Sequence, residues 1–342
     1  VQLDVTAHSS TVEKIFSLQP GVDPESIRMT VLGADSLTIE DDGALVLRTS
    51  LGPISFSAPY AWQDTPQGRA PVDVAYWTED SEYGFLLGAH DPARTVHIDP
   101  LLASTYLGGS KWDSCEALAV DSSGCVYVTG STRSEEFPTT PGAYSPGPAI
   151  GAMFISKFDP SLSALLASTL IYGSGYDSPA DILLDGQGSV YITGSTTSTN
   201  FPVTSSAFCQ TFQGSEYDAF VSRLNTDLTT LIDSTYLGGS EYDWANTLAR
   251  TDYGNIVCAG ATRSTNFPTT GSAYQRQLCP NNMQPAFDGF VTIFDSSLSS
   301  MVASTYLGGS NYDGVQAVCV DSSDAIRLAG STGGQGFPTT VG

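Results

Sequence analysis

Four aromatic–aspartate pairs are the residues of this chain whose types and repetition best suit chemistry. They are Trp112-Asp113, Tyr176-Asp177, Tyr242-Asp243 and Tyr312-Asp313. Carboxylate oxygens are ligands that Ca²⁺ prefers, and an aromatic face beside them is suited to stacking on a sugar ring. A functional interpretation therefore makes these pairs a binding site for Ca²⁺ or for glycans.

The same aspartates also have a structural interpretation. Each stands three residues after a Gly-Ser sequence, as Asp113 does after Ser110. An Asp at such a place accepts backbone N–H bonds and fixes the preceding turn. We favour this structural role, because a binding site rarely needs identical copies of one turn.

Groups for catalysis are scarce. The only histidines are His8, His90 and His97, and the chain has neither a G-x-S-x-G nor an H-E-x-x-H motif. We expect His97 to pack against its neighbours rather than to act as a base. The sequence therefore predicts no catalytic residue and no enzyme, with a secreted hydrolase that uses carboxylate pairs as an alternative.

The charge of the chain excludes several partners. Thirteen Lys and Arg stand against 36 Asp and Glu, which gives a formal charge of −23. Binding to phosphates needs Lys or Arg, so we expect neither nucleic acid nor an anionic membrane as a partner. No apolar run approaches the ~20 residues of a spanning helix, which predicts no membrane insertion.

Two sequence markers repeat together along most of the chain. STYLGGS occurs at 104–110, 234–240 and 304–310, with the variant STLIYGS at 168–174. Phe-Pro recurs at Phe137, Phe201, Phe267 and Phe337. Both the aspartates and the Phe-Pro pairs advance by 64, 66 and 70 residues. This agreement indicates a true internal repeat.

One period of the repeat contains four strand-like segments. They are Ala117–Val120, Cys125–Gly130, Met153–Phe158 and Leu165–Tyr172. β-Branched and aromatic residues fill them, and turn sequences such as Asp121–Gly124 separate them. Four antiparallel strands per repeat are what a β-propeller blade requires, so we predict a propeller.

The motif also resembles a known family. STYLGGS-x-[YW]-D, then A-x-x-V-D-x-x-G-x-x-Y-[VI]-T-G-S-T, then FPTT, is similar to the SBBP-type β-propeller repeat of secreted bacterial proteins. The likeness runs from about Asp99 to the last residue. It implies an extracellular or surface location, and the family brings no single biochemical activity.

The predicted fold class is all-β: an N-terminal β-sandwich over 1–94, then a β-propeller over 95–342. Complete repeats lie near 115–174, 179–240 and 246–310. Half-blades at 95–110 and 315–342 resemble the third and fourth strands and the first and second strands of a blade. We predict that they close a fourth blade within the chain. The alternative is an open arc whose unpaired edges bind another subunit.

Residues 1–94 lack the repeat and alternate polar with apolar residues in short segments, which is typical of a sandwich. They also resemble the domain that commonly precedes these repeats. The chain opens in a strand-like segment, VQLDVTA, which suggests a processed N-terminus and a removed signal peptide. We expect this strand, with Val1, Leu3 and Val5, to be the segment lent to a neighbouring subunit.

Six cysteines without metal or redox spacing indicate an exported protein with disulfides. Cys209 and Cys279 follow Phe-Pro in equivalent loops and are predicted to staple adjacent blades. Cys115 is a rival partner for either.

These patterns favour an extracellular structural or adhesive surface protein that self-assembles into a filament or layer. We expect it to require no cofactor, although its carboxylates could bind Ca²⁺. A carbohydrate-binding module that uses the aromatic–aspartate face is the alternative from a different class.

Overall fold

The computed structural model describes residues 2–8, 11–50, 52–66, 68–99, 105–145, 151–160, 162, 164–279 and 287–339. For residues 2–8, 11–15, 52 and 55 it describes the backbone only. The chain divides into two compact units, Val1–Tyr106 (unit 1) and Leu107–Gly342 (unit 2). Within the described ranges, no helix is long and apolar enough to span a membrane.

Unit 1 is built from eleven strands and one 3-10 turn at Pro24–Ser26. The strands are β1 (Gln2–His8), β2 (Thr11–Leu18), β3 (Met29–Thr30), β4 (Ser36–Ile39), β5 (Leu45–Thr49), β6 (Gly52–Phe56), β7 (Tyr60–Thr65), β8 (Gly68–Val72), β9 (Val74–Glu79), β10 (Glu82–Leu87) and β11 (Val96–Asp99). They form three sheets, with the orders β1-β2-β11-β7-β8, β3-β10-β9 and β4-β5-β6.

The core of unit 1 draws on all three sheets. Phe16, Leu45 and Phe85 are buried in one apolar cluster with Tyr76 and Ile98. The rings of Phe16 and Phe85 lie 5.4 Å apart, at a tilt that aromatic pairs prefer. Unit 1 is therefore all-β, and its three sheets share one core.

Unit 2 repeats one sheet design. Its strands are β12 (Asp113–Val120), β13 (Val126–Thr132), β14 (Ala152–Phe158), β15 (Leu165–Ile171), β16 (Asp177–Leu184), β17 (Ser189–Thr196), β18 (Asp218–Asn225), β19 (Leu231–Leu237), β20 (Asp243–Arg250), β21 (Ile256–Thr262), β22 (Asp288–Phe294), β23 (Met301–Leu307), β24 (Asp313–Val320) and β25 (Ile326–Thr332). Consecutive strands pair antiparallel in three four-stranded sheets, β12–β15, β16–β19 and β20–β23, and in the two-stranded sheet β24–β25. The predicted all-β fold of repeated four-stranded antiparallel sheets is confirmed.

The first strands of successive sheets lie side by side: β12 contacts β16, β16 contacts β20, and β20 contacts β24. Polar side chains join them. Asp181 Oδ2 accepts a hydrogen bond from the Leu248 N–H at 2.7 Å, and Asn246 Nδ2 donates one to the Val315 carbonyl at 2.8 Å. Apolar residues such as Ile155, Ile182 and Phe220 share one core cluster that links the first and second sheets.

The prediction that Val96–Asp99 would be the third strand of a closing blade is wrong. This segment is β11, which pairs with β2 and β7 inside unit 1. Val96 and Ile98 are buried in the unit 1 core, and their alternation along the strand sets the register that places both side chains there. Residues 100–104 of the predicted fourth strand lie outside the described residues, and 105–109 form no strand. The described part of the fourth sheet therefore holds β24 and β25 alone.

A β-bulge explains a glycine found in the second strand of every sheet in unit 2. The first strand shifts register in each sheet, between Pro179 and Asp181 for example, and Gly194 lies opposite the shift. A Cβ at Gly194 would collide with the Ser178 carbonyl oxygen. Gly130, Gly260 and Gly330 meet the equivalent carbonyl in their own sheets. The glycine of this strand end is therefore a consequence of the bulge.

We predict that Gly194→Ala lowers the free energy of unfolding of unit 2 by about 1–3 kcal/mol, because the backbone must move to admit the methyl group. Urea unfolding followed by circular dichroism measures the loss. Gly271→Ala is the control, since nothing lies within 4 Å of its Cβ position. Equal midpoints for the two variants would contradict the proposed role of the bulge.

Candidate functional site

The four aspartates predicted from the sequence occupy one repeated position. Asp113, Asp177, Asp243 and Asp313 each begin the first strand of a sheet. Oδ2 of each accepts the backbone N–H of the glycine that stands four residues before it, in the preceding turn. The N···O distances are 2.8 Å for Gly109, 2.6 Å for Gly173, 2.7 Å for Gly239 and 2.7 Å for Gly309. We call this turn and its aspartate the crossover.

Hydroxyl groups complete the crossover in the second sheet. Asp177 Oδ1 accepts a hydrogen bond from Thr196 Oγ1 at 2.5 Å, and its Oδ2 accepts a second from Ser198 Oγ at 3.1 Å. Burial raises the pKa of Asp177, while the Thr196 hydroxyl and the Gly173 N–H act in the opposite direction. Both oxygens of this buried carboxylate thus accept hydrogen bonds, from the turn before it and from residues at the end of β17.

Close packing explains the two glycines of the turn. A Cβ at Gly108 would stand 2.6 Å from Asp113 Oδ2. A Cβ at Gly173 would collide with the side chain of Ser198. The carboxylate and its serine partner occupy the space that any larger residue would need.

The aromatic members of the pairs behave differently from the aspartates. Trp112 and Tyr176 are 55% and 65% exposed, and Tyr312 is exposed as well. Tyr242 is half-buried and stacks on Tyr217, with 5.9 Å between ring centroids. The exposed rings do not share a surface with the buried carboxylates of Asp177 and Asp313, so ring and acid do not form one binding surface there.

Sequence reasoning missed two further aspartates, Asp218 and Asp288. Both are completely buried and begin the third strands β18 and β22. Asp218 Oδ2 accepts the Gln213 N–H at 2.6 Å, and Asp288 Oδ2 accepts the Cys279 N–H at 2.8 Å and Gln275 Nε2 at 2.7 Å. Their signal in the sequence is a second aromatic–aspartate pattern, Tyr217-Asp218 and Phe287-Asp288.

The neighbouring crossover carboxylates help to raise the pKa of each of these two aspartates. Burial raises the pKa of Asp218 to about 7, and the nearby Asp243 carboxylate adds to this effect. Burial also raises the pKa of Asp243 to about 6 and that of Asp288 to about 6, the latter with a contribution from Asp313. Acidic groups that face one another therefore lie between adjacent sheets.

The predicted disulfides are not formed. All six cysteines belong to described segments and are free thiols. Cys209 donates its thiol hydrogen to the Thr211 carbonyl, 3.2 Å away, and its N–H to Thr235 Oγ1. Cys279 donates its N–H to Asp288, and Cys115 donates its thiol hydrogen to the Ala117 carbonyl. The predicted staple between Cys209 and Cys279, or from Cys115 to either, is therefore absent.

The histidines take part in packing and local bonds. His97 stacks on Trp62 with centroids 5.3 Å apart, and its Nδ1 lies 3.0 Å from Ser17 Oγ. His90 Nδ1 lies 2.8 Å from the Gly88 carbonyl, and only the backbone of His8 is described. In the described part of the chain, no group of three or more His, Cys, Asp or Glu side chains could hold a metal.

The N-terminal strand predicted for exchange pairs within its own chain. Leu3 and Val5 lie in β1 opposite Phe16 and Lys14 of β2, while Val1 lies outside the described residues. β1 is the edge strand of its sheet.

The Phe-Pro motif supplies a repeated aromatic contact. Phe137 stacks on Phe154 of β14, Phe201 lies against Phe220 of β18, and Phe267 lies against Phe290 of β22. The centroid distances are 4.4, 4.7 and 4.5 Å. In the fourth sheet, Phe337 instead lines a cavity of about 250 Å³ together with Leu307, Val315 and Leu328.

The repeated crossovers and aromatic contacts define an all-β repeat protein built from four-stranded antiparallel sheets, which is consistent with a β-propeller. Residues 167–202, which span the crossover of Asp177, match the model of the SBBP beta-propeller repeat. Residues 1–101 match a domain of unknown function, DUF7948. The chain thus carries an SBBP beta-propeller repeat, and the resemblance noted in its sequence is confirmed. No curated protein matches the chain.

We predict that Asp177→Ala lowers the free energy of unfolding of unit 2 by about 2–4 kcal/mol, because it leaves buried donors without an acceptor. Urea unfolding measures the change. Asp185→Ala is the control: Asp185 also accepts backbone N–H bonds, but it does so in an exposed turn, so about 1 kcal/mol is expected. A loss no larger than the control would contradict the importance of the crossover.

Proposed function

We propose that this chain is a non-catalytic structural protein of the extracellular surface that associates with copies of itself through the outer edge of β25. One observation carries the proposal. Within the described residues, no third strand pairs with β25, whereas the equivalent strands β13, β17 and β21 each pair on both sides. An unpaired edge offers free N–H and C=O groups to another strand.

The edge of β25 carries an apolar side chain at a position that is buried in a complete sheet. Leu328 in β25 is 36% exposed, while Cys258, its equivalent in β21, is completely buried. Leu328 also lines the cavity beside Phe337. Association that covers this apolar surface removes it from water, and this removal is favourable.

The cavity also indicates what the added strand must contain. In the three complete sheets, an aromatic ring from the third strand fills the place beside the Phe of Phe-Pro. The cavity of about 250 Å³ beside Phe337 is the corresponding place. A strand added to β25 would therefore place an apolar or aromatic residue there, as strand addition to a sheet edge generally does through pockets for alternate side chains.

Electrostatics set the conditions for association. At −23, copies of the chain repel one another unless protons or cations neutralise the carboxylates. Assembly is therefore favoured at acidic pH or with divalent cations, and disfavoured in dilute neutral buffer that contains a chelator.

Glycan binding is the second candidate, and the exposure of Trp112 and Tyr176 supports it. These rings would act as stacking platforms without help from the buried crossover carboxylates. A glycan array probed with the wild-type chain and with Tyr176→Ala tests this. Binding lost in the variant supports the candidate, and a blank wild-type array removes it. A hydrolase has less support, because the aspartates that it would use are buried in the crossovers.

The self-association proposal predicts that Leu328→Lys abolishes assembly, since a charged edge residue opposes strand addition. Negative-stain microscopy and sedimentation velocity of the wild-type chain, at acidic pH and with Ca²⁺, should show ordered assemblies that the variant lacks. Tyr253→Lys is the control, because Tyr253 is 86% exposed in a turn and brings the same change of charge. A wild-type chain that remains a 36.0 kDa particle under these conditions would refute the proposal.

A further inference from the structure

Two buried carboxylates border a single point between the second and third sheets. A Cβ at Gly238 would stand 2.7 Å from Asp218 Oδ1 and 2.9 Å from Asp243 Oδ2. At the equivalent place between the third and fourth sheets, a Cβ at Gly308 would collide with the carboxylate of Asp288, and the Asp313 carboxylate contributes to the raised pKa of Asp288. We refer to Asp218 with Asp243, and to Asp288 with Asp313, as the carboxylate pairs.

Each carboxylate of the pairs has one oxygen without a partner. All four residues are completely buried, and Oδ1 of each makes no hydrogen bond in the described part of the structure. The Gly214 N–H is near enough to lower the pKa of Asp218, but it is outside hydrogen-bond geometry with Oδ1. The ion pairs of the described residues include none of the four. Acidic neighbours raise the pKa of three of them. The Asp243 carboxylate does so for Asp218, the Asp313 carboxylate for Asp288, and the Glu241 carboxylate for Asp243. Buried charges normally pair with an opposite charge or bind a metal.

The chain supplies its own comparison. In the first sheet, Ala152 occupies the strand position of Asp218 and Asp288, since these residues lie opposite Thr132, Thr196 and Thr262 respectively. The crossovers without a paired carboxylate, Asp113 and Asp177, have Oδ1 bonded by a threonine hydroxyl at 2.5 Å.

The paired crossovers lack this contact. The Thr262 hydroxyl is near enough to lower the pKa of Asp243, but it is outside hydrogen-bond geometry with Oδ1. Among the four crossovers, the unpartnered Oδ1 atoms therefore occur at the two aspartates that have an acidic neighbour.

Further oxygens surround the first pair. A Cβ at Gly214 would stand 2.7 Å from Asp218 Oδ1, 3.0 Å from the Glu241 carbonyl oxygen and 3.3 Å from the Tyr217 carbonyl oxygen. One carboxylate oxygen and two carbonyl oxygens thus converge beside a residue that has no side chain. Sites built from carboxylates and carbonyls, without nitrogen or sulfur, suit hard cations, and Ca²⁺ accepts such irregular oxygen sets.

From these contacts we infer that each carboxylate pair holds one Ca²⁺ ion, so that the chain binds two. Each ion joins the first residue of one sheet's third strand to the first residue of the next sheet's first strand: β18 to β20, and β22 to β24. It neutralises two buried negative charges and stabilises the contact between sheets. The first and second sheets, which meet at Ala152 and Asp177, have no such ion.

Calorimetric titration of the chelator-treated chain with CaCl₂ at neutral pH tests the inference. We expect two ions per wild-type chain, one for Asp218→Asn, one for Asp288→Asn and none for the double variant. Asp177→Asn is the matched control, because it alters a crossover aspartate without a paired carboxylate, and it should still bind two ions. Saturating Ca²⁺ should raise the Tm of the wild-type chain by roughly 5 °C and leave that of the double variant unchanged.

A spectroscopic measurement guards against variants that simply misfold. Tb³⁺ in the first pair would lie next to Tyr217 and Tyr242, the residues that precede Asp218 and Asp243, so excitation of tyrosine should give Tb³⁺ emission that Ca²⁺ displaces. Wild-type chain that shows no Ca²⁺ binding at millimolar concentration overturns the inference and leaves protons as the neutralising charge. Two ions bound by the folded double variant would overturn it as well.

Discussion

A buried carboxylate that accepts a glycine N–H is the contact on which the architecture of unit 2 depends. Gly173 and Asp177 show it in full: the aspartate ends the turn between two sheets, and Thr196 and Ser198 complete its hydrogen bonds. An unbonded carboxylate at this depth would cost on the order of several kcal/mol of folding free energy. A glycine four residues before the aspartate and hydroxyl residues about twenty residues after it therefore recur with it.

The fourth sheet shows how the same repeat leads to a different outcome. Its crossover at Asp313 and its bulge at Val315 match those of the other sheets. Its Phe337, however, faces a cavity where the other sheets have an aromatic ring from a third strand. In a complete sheet, the second strand pairs with a strand on each side. In the fourth sheet, the free edge of β25 is therefore the place where a partner strand could pair.

A single residue type changes the chemistry between sheets. Where the third strand begins with Ala152, hydroxyl groups and a glycine N–H use both oxygens of the neighbouring crossover carboxylate. Where it begins with Asp218 or Asp288, two carboxylates face one another, and burial raises the pKa of each of these two residues. The contacts between sheets thus share one backbone arrangement but differ in the number of buried carboxylates. The proposed role of a cation depends on this difference.

The sequence by itself determined the repeat period, the four strands of each complete sheet and the turn occupied by each crossover aspartate, because these depend on contacts within one or two adjacent periods. It did not determine the partners of Val96–Asp99, since alternating apolar residues suit any half-buried strand and only the unit 1 core distinguishes the choices. Nor did it show that Asp218 faces Asp243 or that Cys209 stays a free thiol. Those facts depend on which sheet edges meet in space, and only the tertiary structure decided them.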